Sequence, residues 1–205
     1  MILSLRTKKT MVFLWLLLNL AGIAYVFWNT EYKYSLPTPV PQNYHAVQTG
    51  TFVDLHDKLT VPGNKPVFLH FFNPSCPCSR FNIPHFISLA EHYGSKVSFA
   101  IVVMDKDGSV SKEDIRKKFD LTIPVLFDTS IAVACGVYST PQAVILDKAG
   151  KLFYRGNYNR SRYCTDTKSD FARMALDSLI GNTAVPLFTE AATTAYGCQL
   201  PSCKK

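Results

Sequence analysis

Two cysteines one residue apart carry the most chemistry in this sequence. Cys76 and Cys78 lie in FFNPSCPCSRFNIP, residues 71–84, between an apolar run, Val67 to Phe72, and a segment that reads as a helix. A helix start stabilises an anionic sulfur, and the thiolate is the nucleophilic form of cysteine. The pattern therefore points to thiol chemistry. A disulfide between Cys76 and Cys78 would close a small ring that cannot easily reach relaxed geometry, and strained disulfides are the readily reduced ones. The other course open to Cys76 is to act alone, forming a mixed disulfide that a distant cysteine or an external reductant resolves. A static bridge is the bland reading, but a C-x-C bridge fixes almost no loop entropy.

Holding such a pair takes a strand, a turn and a helix. Strands are expected at Val67 to Phe72, Val97 to Met104, Ala143 to Leu146 and Leu152 to Arg155, all rich in β-branched or aromatic residues. Helices are expected at Ser79 to Tyr93, Ser111 to Phe119 and Lys168 to Leu179, the last capped by Asp166 or Thr167. Asp147-Lys148-Ala149-Gly150 is a short polar connection, so the last two strands should form a hairpin. The order is α/β, a central mixed sheet flanked by helices.

Met11 to Trp28 is apolar apart from Asn19 and follows Arg6, Lys8 and Lys9. It is long enough to cross a bilayer, and its basic flank places the N-terminus in the cytoplasm and the rest of the chain outside. A cleaved signal peptide ending near Gly22-Ile23-Ala24 is the rival, but the apolar run continues past that point. Pro37, Pro39 and Pro41 then suit an extended tether. The expected organisation is a basic segment 1–10, a transmembrane anchor 11–28, a tether 29–43, a domain 44–185 and a cysteine-containing tail 186–205. Much of the formal net charge of +7 sits in that basic segment and in Lys204 and Lys205. The body is close to neutral and has no basic stripe, which argues against a nucleic-acid partner.

These residues together resemble the thioredoxin-like superfamily, in particular the redoxin branch with its membrane-tethered periplasmic members. Cys76 falls on the first cysteine of the family's WCGPCK signature, Ser79 on the second, Arg80 on the following basic residue and Pro84 on the proline that kinks the active-site helix. Val137-Tyr138-Ser139-Thr140-Pro141 is similar to the family's cis-proline loop, and Asp120 to Gly136 to an insertion of the redoxin branch. The resemblance spans about residues 50 to 185. It implies that Cys76 is the exposed attacking thiolate, with Cys78 the preferred resolving thiol in place of the missing cysteine at Ser79. It also implies that Thr140 and Pro141 offer backbone atoms to an extended polypeptide, as in strand addition.

Export makes an even cysteine set readable as bridges, and Cys135 with Cys164 and Cys198 with Cys203 are the expected structural pairs. In a thioredoxin-like sheet, Cys135 and Cys164 fall at the active-site end. A sharper alternative has Cys164 or the tail cysteines relaying electrons to the active site.

The expected function is that of a membrane-anchored extracytoplasmic thiol–disulfide oxidoreductase in the cytoplasmic membrane. Its partners are protein thiols and disulfides, together with a redox partner that recycles Cys76 and Cys78. No cofactor and no metal site are assigned. One alternative is copper delivery, with His70 and His85 joining the cysteines. Another is a noncatalytic binding module that keeps the fold but not the redox pair. A peroxidase fits less well, because Asn73 stands where the peroxiredoxin threonine or serine would be.

Overall fold

The first strand of the sheet, β1 (Val67–Phe72), is buried along its whole length. It lies centrally, with β2 (Ser98–Val103) parallel to it on one side and a later strand antiparallel on the other, so both of its edges are paired, and apolar layers cover both of its faces. The computed structural model describes residues 4–55, 58–59, 64–105, 108–120, 122–183 and 186–200.

The chain forms two units, the first ending at Leu36 and the second beginning at Pro37. In the first, α1 (Leu5–Phe27) passes through a π-helical turn, Trp28–Tyr32, into α2 (Lys33–Ser35). Together they make an apolar helix of 31 residues, long enough to cross a membrane, with its large apolar side chains exposed.

The second unit holds a sheet of order β3-β2-β1-β5-β6. Here β3 is Val125–Leu126, β5 is Gln142–Leu146 and β6 is Leu152–Gly156. β1, β2 and β3 are parallel, while β5 and β6 run antiparallel to their neighbours as a hairpin. Asp147 closes the hairpin by accepting from the backbone N–H of Ala149 and Lys151, at 2.8 and 2.9 Å. This is the thioredoxin-like arrangement the sequence predicts.

Strand alternation divides the core in two. On one face Phe68, Phe72, Ile101 and Ile145 meet α4 (Ile83–Tyr93), α5 (Lys112–Phe119) and α7 (Phe171–Ile180). On the other, Leu69, Phe71, Val102 and Val144 meet α6 (Ser130–Cys135) with Val53 and Leu55. Ser111 and Asp114 form a reciprocal capping box at the start of α5.

Two helix boundaries differ from expectation. The helix expected over Ser79 to Tyr93 is two helices, α3 (Pro77–Phe81) and α4, separated at Asn82. Pro84 has no N–H to offer the carbonyl of Arg80, so the ladder breaks there. The last long helix starts at Phe171 with Asp170 as its cap, while Asp166 caps a 3₁₀ turn, Thr167–Ser169. Part of the expected tether and tail is packed structure: Thr38, Ala192, Ala195 and Cys198 are buried. The tail contributes α8 (Glu190–Thr193) and a short strand.

Candidate redox site

Cys76 caps the N-terminus of α3, with Pro77 in the first helical turn. The loop before it is self-supporting. Asn73 accepts from the N–H of Ser75 through its side chain at 2.8 Å, and its carbonyl accepts from the N–H of Cys76 at 3.1 Å. Its own N–H donates to the hydroxyl of Ser79 at 3.2 Å. Ser79, at the position where the resemblance predicts a second cysteine, therefore ties α3 back to the loop. Asn82 fills the helix break, donating to the carbonyl of Cys78 at 3.2 Å and accepting from the Cys164 thiol at 3.0 Å.

Across from Cys76 runs β4 (Ser139–Thr140), followed at once by Pro141, and the Thr140–Pro141 peptide is cis. The strand in the tail, β7 (Cys198–Gln199), pairs antiparallel with β4, placing Thr140 opposite Cys198 and Ser139 opposite Gln199. Cys198 is disulfide-bonded to Cys76 over a sequence separation of 122, with 6.2 Å between the Cα atoms. The Cys76 sulfur lies 3.7 Å from the carbonyl oxygen of Thr140.

A second chain segment holds the tail from its far side. Pro37 bridges Tyr196, and the N–H of Thr38 donates to the carbonyl of Ala195 at 2.8 Å. The Thr38 hydroxyl donates to Gly197 at 3.2 Å and lies 2.9 Å from that of Ser139, so Thr38 touches both the tail and β4.

Several expectations are corrected. Cys76 is fully buried, not exposed, because the tail covers it. Its disulfide partner is Cys198, not Cys78. Residues two apart at a helix start do not face each other, so Cys78 is directed away from Cys76 and is itself buried. Cys198 is thereby withdrawn from the bridge expected with Cys203, which lies outside the described residues. Cys135 and Cys164 keep their thiols. They pack against opposite faces of the sheet, Cys135 with the α6 layer and Cys164 with the α4 and α7 layer, so they cannot meet. Burial pushes both thiols up to about 12.

The two imidazoles of the copper alternative are engaged elsewhere. His70, on β1, is fully buried with its ring on Phe86, centroids 4.6 Å apart, and Nδ1 at 2.6 Å from the Tyr158 hydroxyl. Loss of hydration pushes its pKa down to about 3, so it is neutral. His85 lies 2.9 Å from Asp170, whose carboxylate also accepts from Arg173 at 3.0 Å. Burial alone would raise the Asp170 pKa, but these two partners hold it below the usual carboxylate range. Among the described residues, no three His, Cys, Asp or Glu side chains gather as a metal site would require.

Sequence reasoning missed Thr38 and cast Cys198 only as a structural or relay cysteine. The usable signal was the Gly197-Cys198 dipeptide, in which a residue without a Cβ directly precedes the cysteine.

Residues 45–201 match DUF6436, a domain of unknown function. The chain belongs to DUF6436. Solved structures similar to this DUF6436 chain include an uncharacterised conserved protein from Geobacillus kaustophilus, with TM-score 0.60, 22% identity, and coverage of 80% of this chain and 97% of that one. A hypothetical protein from Sinorhizobium meliloti follows at TM-score 0.59 and 18% identity, covering 77% and 96%. A thioredoxin-like protein in its oxidised form matches at TM-score 0.48 and 16% identity, covering 72% and 95%. The likeness to the Geobacillus kaustophilus and Sinorhizobium meliloti structures shows a shared fold. No curated protein matches the DUF6436 chain significantly.

Proposed function

We propose that this chain is a membrane-anchored extracytoplasmic thiol–disulfide oxidoreductase in which Cys76 is the nucleophile and Cys198 its resolving thiol. The observation that carries the reading is the Cys76–Cys198 disulfide, formed where β7 pairs with the short strand β4 next to cis-Pro141. The tail lies there as a bound polypeptide would lie, its backbone paired with β4 and its sulfur joined to Cys76.

In the reduced protein, the Cys76 thiolate attacks one sulfur of a protein disulfide. The substrate's other sulfur leaves as a thiolate, and a Cys76–substrate mixed disulfide remains. The Cys198 thiolate then attacks the Cys76 sulfur and expels the second substrate thiolate. The substrate gains two electrons and the enzyme is left with the Cys76–Cys198 bond. A dithiol partner returns the electrons by the same exchange, and the whole sequence is reversible. Since both sulfurs are buried when bonded, the tail must lift from β4 before a substrate enters.

The apolar helix beginning at Leu5 supports membrane anchoring, and Arg6, Lys8 and Lys9 near its start support a cytoplasmic N-terminus with the domain in the periplasm or an equivalent space. The test uses the full-length protein in detergent with a disulfide-bonded model protein as substrate. Cys76→Ser should abolish exchange, Cys198→Ser should accumulate the mixed disulfide, and Cys78→Ser should retain turnover. Undiminished exchange by Cys76→Ser would reject the assignment. Protease protection of the domain in intact cells, lost when the outer permeability barrier alone is opened, tests the orientation.

A further inference from the structure

The groove beside cis-Pro141 is specific about what may precede the reacting cysteine. Gly197, directly before Cys198, has φ +134°, a conformation that L side chains rarely adopt. A Cβ at Gly197 would run into the carbonyl oxygen of Thr140, lie 2.9 Å from its carbonyl carbon and come within 3.3 Å of Pro141 Cδ. These are backbone and ring atoms of the cis-proline turn, and they cannot swing aside as a long side chain would. Beyond the cysteine, the N–H of Leu200 donates to the carbonyl of Tyr138 at 3.0 Å, and its side chain packs against the apolar cluster of the α6 layer. Further contacts to the tail are made by its backbone: Thr38 N–H to Ala195, the Thr38 hydroxyl to Gly197, and the pairing of β7 with β4.

We propose that the site selects extended polypeptides in which glycine immediately precedes the reacting cysteine and an apolar residue follows two places later, the tail sequence Gly197-Cys198-Gln199-Leu200 being its resident copy. This rests on the thiol-exchange reading and adds the substrate class to it. Thr140 and Pro141 enforce the glycine, and the other subsites read main chain. A substrate must displace the tail, because both use the same edge of β4.

The test uses full-length protein carrying Cys198→Ser, reduced, with hexapeptides of sequence AYGCQL or AYACQL whose cysteine is activated as a mixed disulfide with an aromatic thiol. Attack by the Cys76 thiolate forms the Cys76–peptide disulfide and releases the aromatic thiolate, which is followed by absorbance. Bis(2-hydroxyethyl) disulfide, which has no backbone to pair, reports the thiol reaction alone. The glycine peptide should react at least about tenfold faster than the alanine peptide, a difference of about 1.4 kcal/mol. Equal rates would overturn the glycine rule while leaving the exchange reading intact, provided the small disulfide reacts. If the small disulfide fails too, the exchange reading falls and the inference with it. Independently, Gly197→Ala in the otherwise native chain should lower the equilibrium constant for forming the Cys76–Cys198 disulfide by a similar factor, read from the oxidised fraction in a glutathione buffer poised near the native chain's midpoint. An unchanged fraction would also overturn the proposal.

Discussion

The Cys76–Cys198 bond should be worth a large share of the stability of the folded unit, and the size of the effect follows from the loop it closes. The two cysteines are 122 residues apart. In the chain-entropy account, closing a loop of that length removes freedom from the unfolded ensemble equivalent to about 5 kcal/mol at room temperature. For a chain of this size, each kcal/mol moves the melting midpoint by about 2–4 °C, so reduction should lower the midpoint by roughly 10–20 °C. The assay is a thermal melt of the full-length protein in detergent, oxidised and reduced, beside Cys198→Ser and Cys78→Ser. Oxidised Cys198→Ser should melt near the reduced wild type, whereas Cys78→Ser should keep the full gap between its two redox states. Identical midpoints for oxidised and reduced wild type, or a gap that vanishes in Cys78→Ser, would refute the reasoning, since the first denies the long loop and the second places the bond at Cys78.

Three further outcomes are expected. His70 is neutral in the fold, with a pKa of about 3 against an ordinary 6.5, so between those values the unfolded chain binds the extra proton. Its contribution is complete above about pH 6.5 and is lost as pH falls toward 3, on the order of 5 kcal/mol in all; urea midpoints against pH should flatten over this range in His70→Phe, and an unchanged slope would count against it. Asp170→Ala removes the cap of α7 and strands His85 and Arg173, which should cost about 2–3 kcal/mol in chemical denaturation, and a loss below 0.5 kcal/mol would be a failure. With pKa values of about 12, Cys135 and Cys164 should resist iodoacetamide at pH 8 in the native state and react once unfolded, as peptide mass mapping would read; rapid native labelling would contradict the burial of Cys135 and the raised pKa of both thiols.

Much of the fold was legible from local pattern. The apolar β-branched runs gave β1, β2, β5 and β6, and Asp147 to Gly150 announced the hairpin. The short strand β3 and helix α6 were not identified: two residues of strand carry no periodicity, and six of helix carry little. At the site, Cys76 and the cis-proline turn could be placed because strand, turn and helix adjoin them in sequence. Cys198 could not, since its pairing with Cys76 depends on a return of the chain over more than a hundred residues, and nothing local to a Gly-Cys dipeptide specifies where it will land. The expected Cys135–Cys164 bridge failed for a related reason. Loop position along the strands suggested proximity, while the face of the sheet on which each sulfur packs is decided by tertiary contacts.

Thr38 and Ser139, whose hydroxyls lie 2.9 Å apart, both meet a segment that follows them in the chain, Thr38 by bonding to Gly197 and Ser139 by pairing opposite Gln199. The contacts from Thr38 to the tail span nearly the whole folded unit, and contacts of such long sequence separation are the costliest to close. A chain is made from its N-terminus, so the central strands and Cys76 exist before the strand that covers that sulfur, whose cysteine lies 122 residues further along. For that interval the Cys76 sulfur is uncovered, and the docking of Gly197 and Cys198 is what buries it. Burial of Cys76 thus waits on the segment that pairs with β4 and accepts a hydrogen bond from Thr38.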